Sequence, residues 1–223
     1  MMHESSSTVL SWSGGKDSCL ALAELLAAGT HVTALLTTIT REFDRISMHG
    51  VRRSLLQAQA ASLGLPLHEA FIPKSASNEQ YELVMGEAFG HFRSQGVTKI
   101  AFGDLFLEEI RAYRERLLSN HGMTGVYPIW QRDTAALIRE FIETGFKTIV
   151  VCVDPAKLDA SFAGRVIDAD FLAELPASVD PCGENGEFHT FVFEGPLFRA
   201  PVQFAVGELV LRDGFWFRDL LPA

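Results

Sequence analysis

Cysteine is scarce in this 223-residue chain. Cys19, Cys152 and Cys182 stand far apart, and no C-x-x-C pair exists. That spacing argues against a structural zinc or an iron–sulfur cluster built within one chain, and leaves three reduced thiols. Long apolar runs are missing too: none approaches the ~20 residues that a membrane-spanning helix needs. The opening Met1-Met2-His3-Glu4-Ser5 has no basic region followed by an apolar segment, so no secretory signal is expected and the reading is cytoplasmic. Basic charge is also in short supply, with 19 Lys and Arg against 28 Asp and Glu and a formal net of −9. A protein that holds RNA by its phosphates carries a basic face, and only local clusters such as Arg52-Arg53 are basic here. Nucleic acid is therefore disfavoured as a partner, and a membrane is not expected. No internal repeat or low-complexity run is present.

What remains is ordinary globular material, 48% hydrophobic and 21% charged, enough to build a sizeable core. Apolar runs and helical periodicities alternate. Residues 8–12, 32–38, 67–72, 99–102 and 126–130 read as strands. Residues 17–28, 50–63, 77–93 and 107–120 read as helices between them, the second ended by Gly64. Such alternation predicts right-handed β-α-β units and a mainly parallel sheet, an α/β fold. The order then changes. Residues 134–144 look helical, 148–153 form a β-branched strand, and 168–174 form a short helix. Asp213-Gly214 sits between apolar segments as a two-residue hairpin signal. The division expected is 1–132 and 133–223, with a smaller α+β domain at the C-terminal end.

The stretch "LSWSGGKDSCLAL", residues 10–22, carries the most chemistry. In an open parallel sheet, ligands sit beyond the carboxyl ends of strands, where loops lead into helices. Gly14 and Gly15 let backbone N–H groups approach a ligand with no Cβ in the way. The helix that follows offers unpaired N–H groups and a partial positive charge to an anion. Ser13 and Ser18 add hydroxyls and Lys16 adds a full charge. Asp17 fits beside an anion when Mg²⁺ lies between them. Two glycines alone make only a turn before a capped helix, but six consecutive residues of this kind point to a polyphosphate with its metal. The loop is neither a Walker A sequence nor a G-x-G-x-x-G dinucleotide fingerprint.

S-G-G-K-D-S resembles the PP-loop of the ATP pyrophosphatases, which split ATP between its α and β phosphates. Further segments narrow the branch. "PCGENGEFHTFVFEGPLF" at 181–198 resembles the G-E-G-G-E-[FY]-[EH]-T-F segment of the diphthine–ammonia ligases. "YPIWQRDTAALIREFIETGFKTIVVCVD" at 127–154, "LDASFAGRVID" at 158–168 and "SMHG" at 47–50 are similar to that branch in the same order. Two departures stand out: Gly-Glu-Asn-Gly-Glu replaces the glycine-spaced form, and the Asp-Tyr-Gln-x-x-Arg spacing is absent after Gly103-Asp104. The resemblance implies an adenine nucleotide alpha hydrolase-like (HUP-type) parallel-sheet domain with a smaller C-terminal α+β domain.

It also implies an activity. An acceptor carboxylate is adenylated by ATP with release of pyrophosphate, and ammonia then displaces AMP to leave an amide. In that branch the acceptor is diphthine, the modified histidine of elongation factor two. A protein or small-molecule carboxylate is thus the expected partner, with ATP and Mg²⁺ required. Carried over residue by residue, Ser13, Gly14, Gly15, Lys16, Asp17 and Ser18 would hold the triphosphate, with Asp17 near the metal. Thr37, Met48 and His49 would line the adenine pocket, and Gly103 and Asp104 would face the nucleotide. Glu184, Glu187, His189 and Thr190 would face the acceptor. Lys16, Asp17 and Glu187 are the catalytic candidates, Glu187 as the carboxylate that orients ammonia.

Plainer readings accompany these. Asp104 stands where it could cap the next helix, and Glu108, Glu109, Arg111, Arg114, Glu115 and Arg116 read as a salt-bridged helix face. The phenylalanines at 188, 191, 193 and 198 read as core. Two rival functions share the loop: a tRNA-modifying PP-loop enzyme, which the acidic balance disfavours, and a non-catalytic adenine-nucleotide sensor. A PP-loop ATPase acting on a different, unknown acceptor suits a bacterial source, and the apolar C-terminal hairpin leaves room for a homodimer.

Overall fold

A computed structural model describes residues 7–223; the N-terminal segment on which the secretory-signal reading rests, residues 1–5, lies outside that range. The chain divides into two compact units. Of the described residues, unit 1 comprises 7–13, 17–44 and 65–130, and unit 2 comprises 14–16, 45–64 and 131–223.

Unit 1 is a parallel α/β layer. Strand β1 (Thr8–Ser11) leads into helix α1 (Lys16–Ala27), whose first residue is counted with unit 2, and β2 (Val32–Thr40) follows. Val9, Leu10, Leu35 and Ile39 have no exposed surface, as expected for strands covered on both faces. In unit 2, residues 45–52 make a tight turn that contains β3 (Arg45–Ile46), and α2 (Arg53–Leu63) ends at Gly64 in the left-handed conformation. Back in unit 1, β4 (Leu67–Ile72), α3 (Asn78–Ser94), β5 (Lys99–Ala101), α4 (Glu108–Ser119) and β6 (Thr124–Val126) complete the alternation. Ser77 and Gln80 form a reciprocal capping box at the start of α3.

The parallel strands of unit 1 run in the order β4-β2-β1-β5-β6. The chain builds outward from β1 through β2 to β4, then returns to place β5 on the other side of β1. That reversal opens a crevice at the carboxyl ends of β1 and β5. Beneath it lies a core of Val9, Leu36, Phe89, Phe92, Ile100 and Phe102 among others. One strand is shorter than its sequence suggests. Residues 127–130 form a turn, with the Trp130 amide donating to the Tyr127 carbonyl at 3.2 Å. Pro128 supplies no N–H for a ladder there.

Unit 2 is built on an antiparallel sheet. It contains α5 (Thr134–Glu143), β7 (Lys147–Val153), a 3₁₀ turn (Ala160–Phe162), α6 (Ala169–Glu174), β8 (Phe188–Glu194), β9 (Phe204–Arg212) and β10 (Phe215–Pro222). The strand order is β8-β7-β10-β9. Asp133 and Asp168 cap α5 and α6 through their side chains. Asp213 (φ 50°) and Gly214 (φ 88°) both take positive φ, the backbone that a two-residue hairpin requires. Phe188 and Phe191 are buried in this unit's core, whereas Phe193 and Phe198 are only partly covered.

These features confirm an α/β parallel-sheet domain accompanied by a smaller C-terminal sheet domain. Among the described residues no helix is long and apolar enough to cross a membrane.

Packing in unit 2 is tight at Gly195, where an added Cβ would stand 2.1 Å from Cδ1 of the buried Phe146. Gly195→Ala is expected to lower stability by about 1–3 kcal/mol, read as a reduced urea midpoint at unchanged slope. An unaltered midpoint would contradict this packing.

Candidate active site

In unit 1 the switch point joins three chain segments. Ser13 Oγ lies 3.3 Å from Ser18 Oγ across the bend after β1. A Cβ on Gly103 would come within 2.7 Å of the Asp17 carbonyl carbon and 2.9 Å of the Ser18 nitrogen. Only glycine lets the loop after β5 approach the start of α1 so closely. Asp104, next in the chain, does not cap α4. That helix starts from Leu107 without a side-chain cap, and Asp104 instead meets Arg114. Arg114 Nη2 donates to Asp104 Oδ1 at 3.1 Å, and Nε stands 2.8 Å from Oδ2 at an angle unsuited to a hydrogen bond. Burial raises the Asp104 pKa against the pull of Arg114, and the charge of Asp17 raises it further. Two carboxylates that disfavour each other's charge suit a shared cation. Thr37 is buried in the middle of β2, with an Oγ1 that has no hydrogen-bond partner.

In unit 2 the segment Gly14–Lys16 is fastened to β8 and α2. The carbonyl of Gly14 accepts from the Val192 amide at 2.9 Å and from Gln59 Nε2 at 2.9 Å. Gln59 Nε2 also donates to the Val192 carbonyl at 2.6 Å, and the Lys16 amide donates to Thr190 Oγ1 at 3.0 Å. Gly14 takes φ +78°, and a Cβ there would stand 2.9 Å from Gln59 Oε1. The Lys16 side chain is buried, its Nζ 5.6 Å from the centroid of the Phe188 ring.

Two histidines line the same loop. His49 Nδ1 is 3.1 Å from the Thr190 carbonyl, so Nδ1 carries the proton and Nε2 keeps its lone pair. Its Cε1 would be 3.0 Å from a Cβ on Gly15, and its ring lies 4.5 Å from that of His189. Burial, aided by the charge of Lys16, takes the His49 pKa down to about 4 despite the Thr190 carbonyl. Burial, His49 and Lys16 hold His189 well below its ordinary value. The turn bearing His49 is itself clamped. Asp219 on β10 accepts from Arg45 Nη1 at 2.8 Å and from Arg52 Nη2 at 2.7 Å. Burial of the Asp219 carboxyl opposes ionisation, but the two guanidiniums outweigh it and leave the pKa at about 2. Met48, at the tip with φ +68°, is 69% exposed and does not share the packing of His49.

The segment 180–187 is organised by Asp180. Its Oδ1 accepts from the amides of Cys182 (2.9 Å) and Glu184 (3.2 Å), and its Oδ2 accepts from Thr134 Oγ1 at 2.7 Å. Glu187 is buried. Its Oε1 accepts from the Asp180 amide at 3.0 Å and from Asn185 Nδ2 at 3.2 Å, while Oε2 has no hydrogen-bond partner. A held carboxylate with one unmet acceptor can take an N–H from a small nitrogen ligand. Glu184 stays at the segment's partly exposed side. Cys182 Sγ donates to the Thr134 carbonyl at 3.4 Å and is buried.

Unit 2 thus brings together Gly14, Gly15, Lys16, His49, His189 and Thr190, and unit 1 brings together Asp17, Ser18, Gly103 and Asp104. Gln59 and Asp180 were not singled out from sequence. Gln59 did leave a signal: it is a glutamine on the buried face of α2 with Leu55, Leu56 and Ala60. Among the described residues, no group of three His, Cys, Asp or Glu could hold a metal by itself.

A parallel sheet whose first strand passes through this glycine bend into a helix, accompanied by a separate antiparallel sheet, defines a PP-loop ATP pyrophosphatase type of protein. Residues 6–125 match the diphthamide synthase N-terminal domain and residues 133–218 match the diphthamide synthase C-terminal domain; the chain belongs to the diphthamide synthase family. It is 26% identical over 222 residues to a diphthine–ammonia ligase of Danio rerio, covering 90% of this chain and 87% of that protein. Against the diphthine–ammonia ligase of Homo sapiens it is 26% identical over 223 residues, covering 90% and 84%. A diphthine–ammonia ligase of Schizosaccharomyces pombe is 23% identical over 220 residues, and there the match spans 89% of this chain but 36% of that protein.

The folded pKa of His49 lies below its unfolded value of about 6.5, so the unfolded chain binds more protons between the two. Stability contributed by neutral His49 is complete above about pH 6.5 and is lost as pH falls toward about 4. Lowering pH from about 7 to about 5 should cost the wild type about 2 kcal/mol more than His49→Gln in urea titrations. Equal losses would contradict a neutral His49.

Proposed function

We propose that this protein is an ATP-dependent, AMP-forming amide ligase. An acceptor carboxylate oxygen attacks the α-phosphate of ATP, the bond to the β-phosphate breaks, and pyrophosphate leaves. Ammonia then attacks the acyl carbon, AMP departs with the bonding electrons, and one proton is lost as the amide forms. Diphthine, the acceptor in the names of the relatives, is the first carboxylate to test.

The observation that carries this reading is the loop at Gly14–Lys16, whose Gly14 carbonyl is tied down by Val192 and Gln59. With that carbonyl held by other partners, the bend can present its amide edge and the start of α1 to phosphate oxygens. Lys16 adds charge where the β- and γ-phosphates sit, stabilising the departing pyrophosphate. Ser13 and Ser18 contribute hydroxyls, and Gly103 and Asp104 stand at the nucleotide's side of the switch point. Thr37 is the adenine-side candidate of unit 1, and His49, with the exposed Met48 next to it in the chain, is that of unit 2. Mg²⁺ would be held by Asp17 together with the phosphates, and when bound it neutralises charge there. Glu187 Oε2 accepts an N–H of ammonia and takes the proton released on amide formation, with Glu184, His189 and Thr190 facing the acceptor.

Lys16→Ala should weaken ATP binding at least about tenfold in calorimetry, whereas Glu187→Gln should bind ATP within about twofold of wild type. AMP formation by Glu187→Gln should fall by roughly 10²-fold or more. The activity itself is checked with Mg·ATP, ammonium and diphthine-bearing elongation factor two, scoring AMP, pyrophosphate and the amide by mass spectrometry. Acceptor-dependent AMP and amide support the ligase. ADP with phosphate, or tight ATP binding with no turnover, would overturn it, the latter in favour of a nucleotide sensor.

A further inference from the structure

The charges on α4 do not form the salt-bridged face that their spacing suggests. Arg114 reaches off the helix to Asp104, with its Cζ 4.3 Å from the centroid of the Phe102 ring. Arg116 lies over Tyr113 at 5.2 Å. Arg111 makes no ion pair or side-chain hydrogen bond among the described residues. Its Cζ instead sits 4.6 Å from the Tyr127 centroid and 4.7 Å from the Trp130 centroid. Those two rings are 5.8 Å apart and inclined by 64°, so they form a corner around the guanidinium.

A guanidinium in an aromatic corner is held by its faces, while the N–H donors at its edge stay available. Much of the entropy of ordering a long side chain is then already met before a ligand arrives. Arg111 is only half-buried, so its edge is reachable. The corner also stands where unit 1 would place a ligand. Strands β5 and β6 are neighbours, and Phe102 and Tyr127 follow their carboxyl ends, stacked at 5.6 Å and 22°. Tyr127 bears a second unmet group, because its hydroxyl oxygen is buried and has no hydrogen-bond partner. Burial, with Glu115 and Asp104 nearby, keeps that hydroxyl protonated and therefore able to donate.

We propose that Arg111, held between Tyr127 and Trp130, is the residue that grips the acceptor by its carboxylate. The inference rests on the ligase reading and names the chemistry of its second substrate. A planar fork matches a carboxylate in two-point contact, and the aromatic walls give an organic acceptor apolar surface that a bare polyphosphate cannot use. The outer phosphates already have the glycine loop and Lys16.

The test uses imidazolebutyrate, which joins an imidazole to a carboxylate through an alkyl chain, and its amide as an uncharged control. The full chain is labelled with ¹⁵N-arginine, and the Arg111 Nε–H resonance is assigned by its loss in Arg111→Lys. In wild type that resonance should shift saturably with the carboxylate and not with the amide. Ligand-observed NMR should show at least about tenfold weaker carboxylate binding in Arg111→Lys, with ATP affinity by calorimetry unchanged within about twofold. No shift at millimolar carboxylate would overturn the proposal, as would an equal shift with the amide. Loss of ATP affinity in Arg111→Lys would also overturn it, assigning the residue to phosphate. Carboxylate binding needs neither ATP nor turnover. A saturable shift without AMP formation would therefore fault the ligase reading and leave this site standing.

Discussion

The structure depends most on the hydrogen bonds that fasten residues 14–16. A glycine-rich bend has many conformations available, and an anion site needs one of them. Here the Gly14 carbonyl is taken by the Val192 amide and the Gln59 amide group, and the Lys16 amide is taken by Thr190 Oγ1. Each bond contributes only about 0.5–1.5 kcal/mol net, yet three in a buried setting leave the bend little freedom. The partners on β8 lie within the 181–198 segment whose resemblance to the ligases is far more specific than that of the loop alone. Sequence likeness there and loop geometry here therefore express one constraint.

The same economy of position governs unit 1. Because β5 returns beside β1, the loops after both strands meet at the crevice, and Gly103 lets them approach to backbone contact. Asp104 reaches Arg114 rather than capping α4, and Arg114 leaves the helix surface to meet it. Arg111 and Arg116 turn to aromatic rings instead. A pattern of alternating charges on a helix thus conceals three arginines with three different surroundings.

The fold was legible where local chemistry decides it. Periodicity located the major helices and strands, Gly64 ended α2, and Asp213-Gly214 marked its hairpin. The turn at 45–52 was not legible, because it is too short to show a period and is held by Asp219, some 170 residues away by the 167 and 174 positions that separate the pairs. The end of β6 was overread, since Tyr127 and Trp130 look like strand residues but serve as aromatic walls around Arg111. Around the loop, residues that present chemistry are visible in sequence, whereas Gln59 and Asp180 act on backbone groups and show no motif of their own. Polar side chains that serve the backbone are recognised only once the chain is folded.

One claim supports the functional account: residues 13–18 hold the outer phosphates of ATP so that cleavage falls at the α-phosphorus. The most direct measurement is a crystal structure with Mg²⁺ and an ATP mimic that cannot be split between its α and β phosphates. The account predicts the β- and γ-phosphates against this hexapeptide and the Lys16 side chain, with the α-phosphate open to attack. A nucleotide bound elsewhere, with the hexapeptide empty, would contradict it.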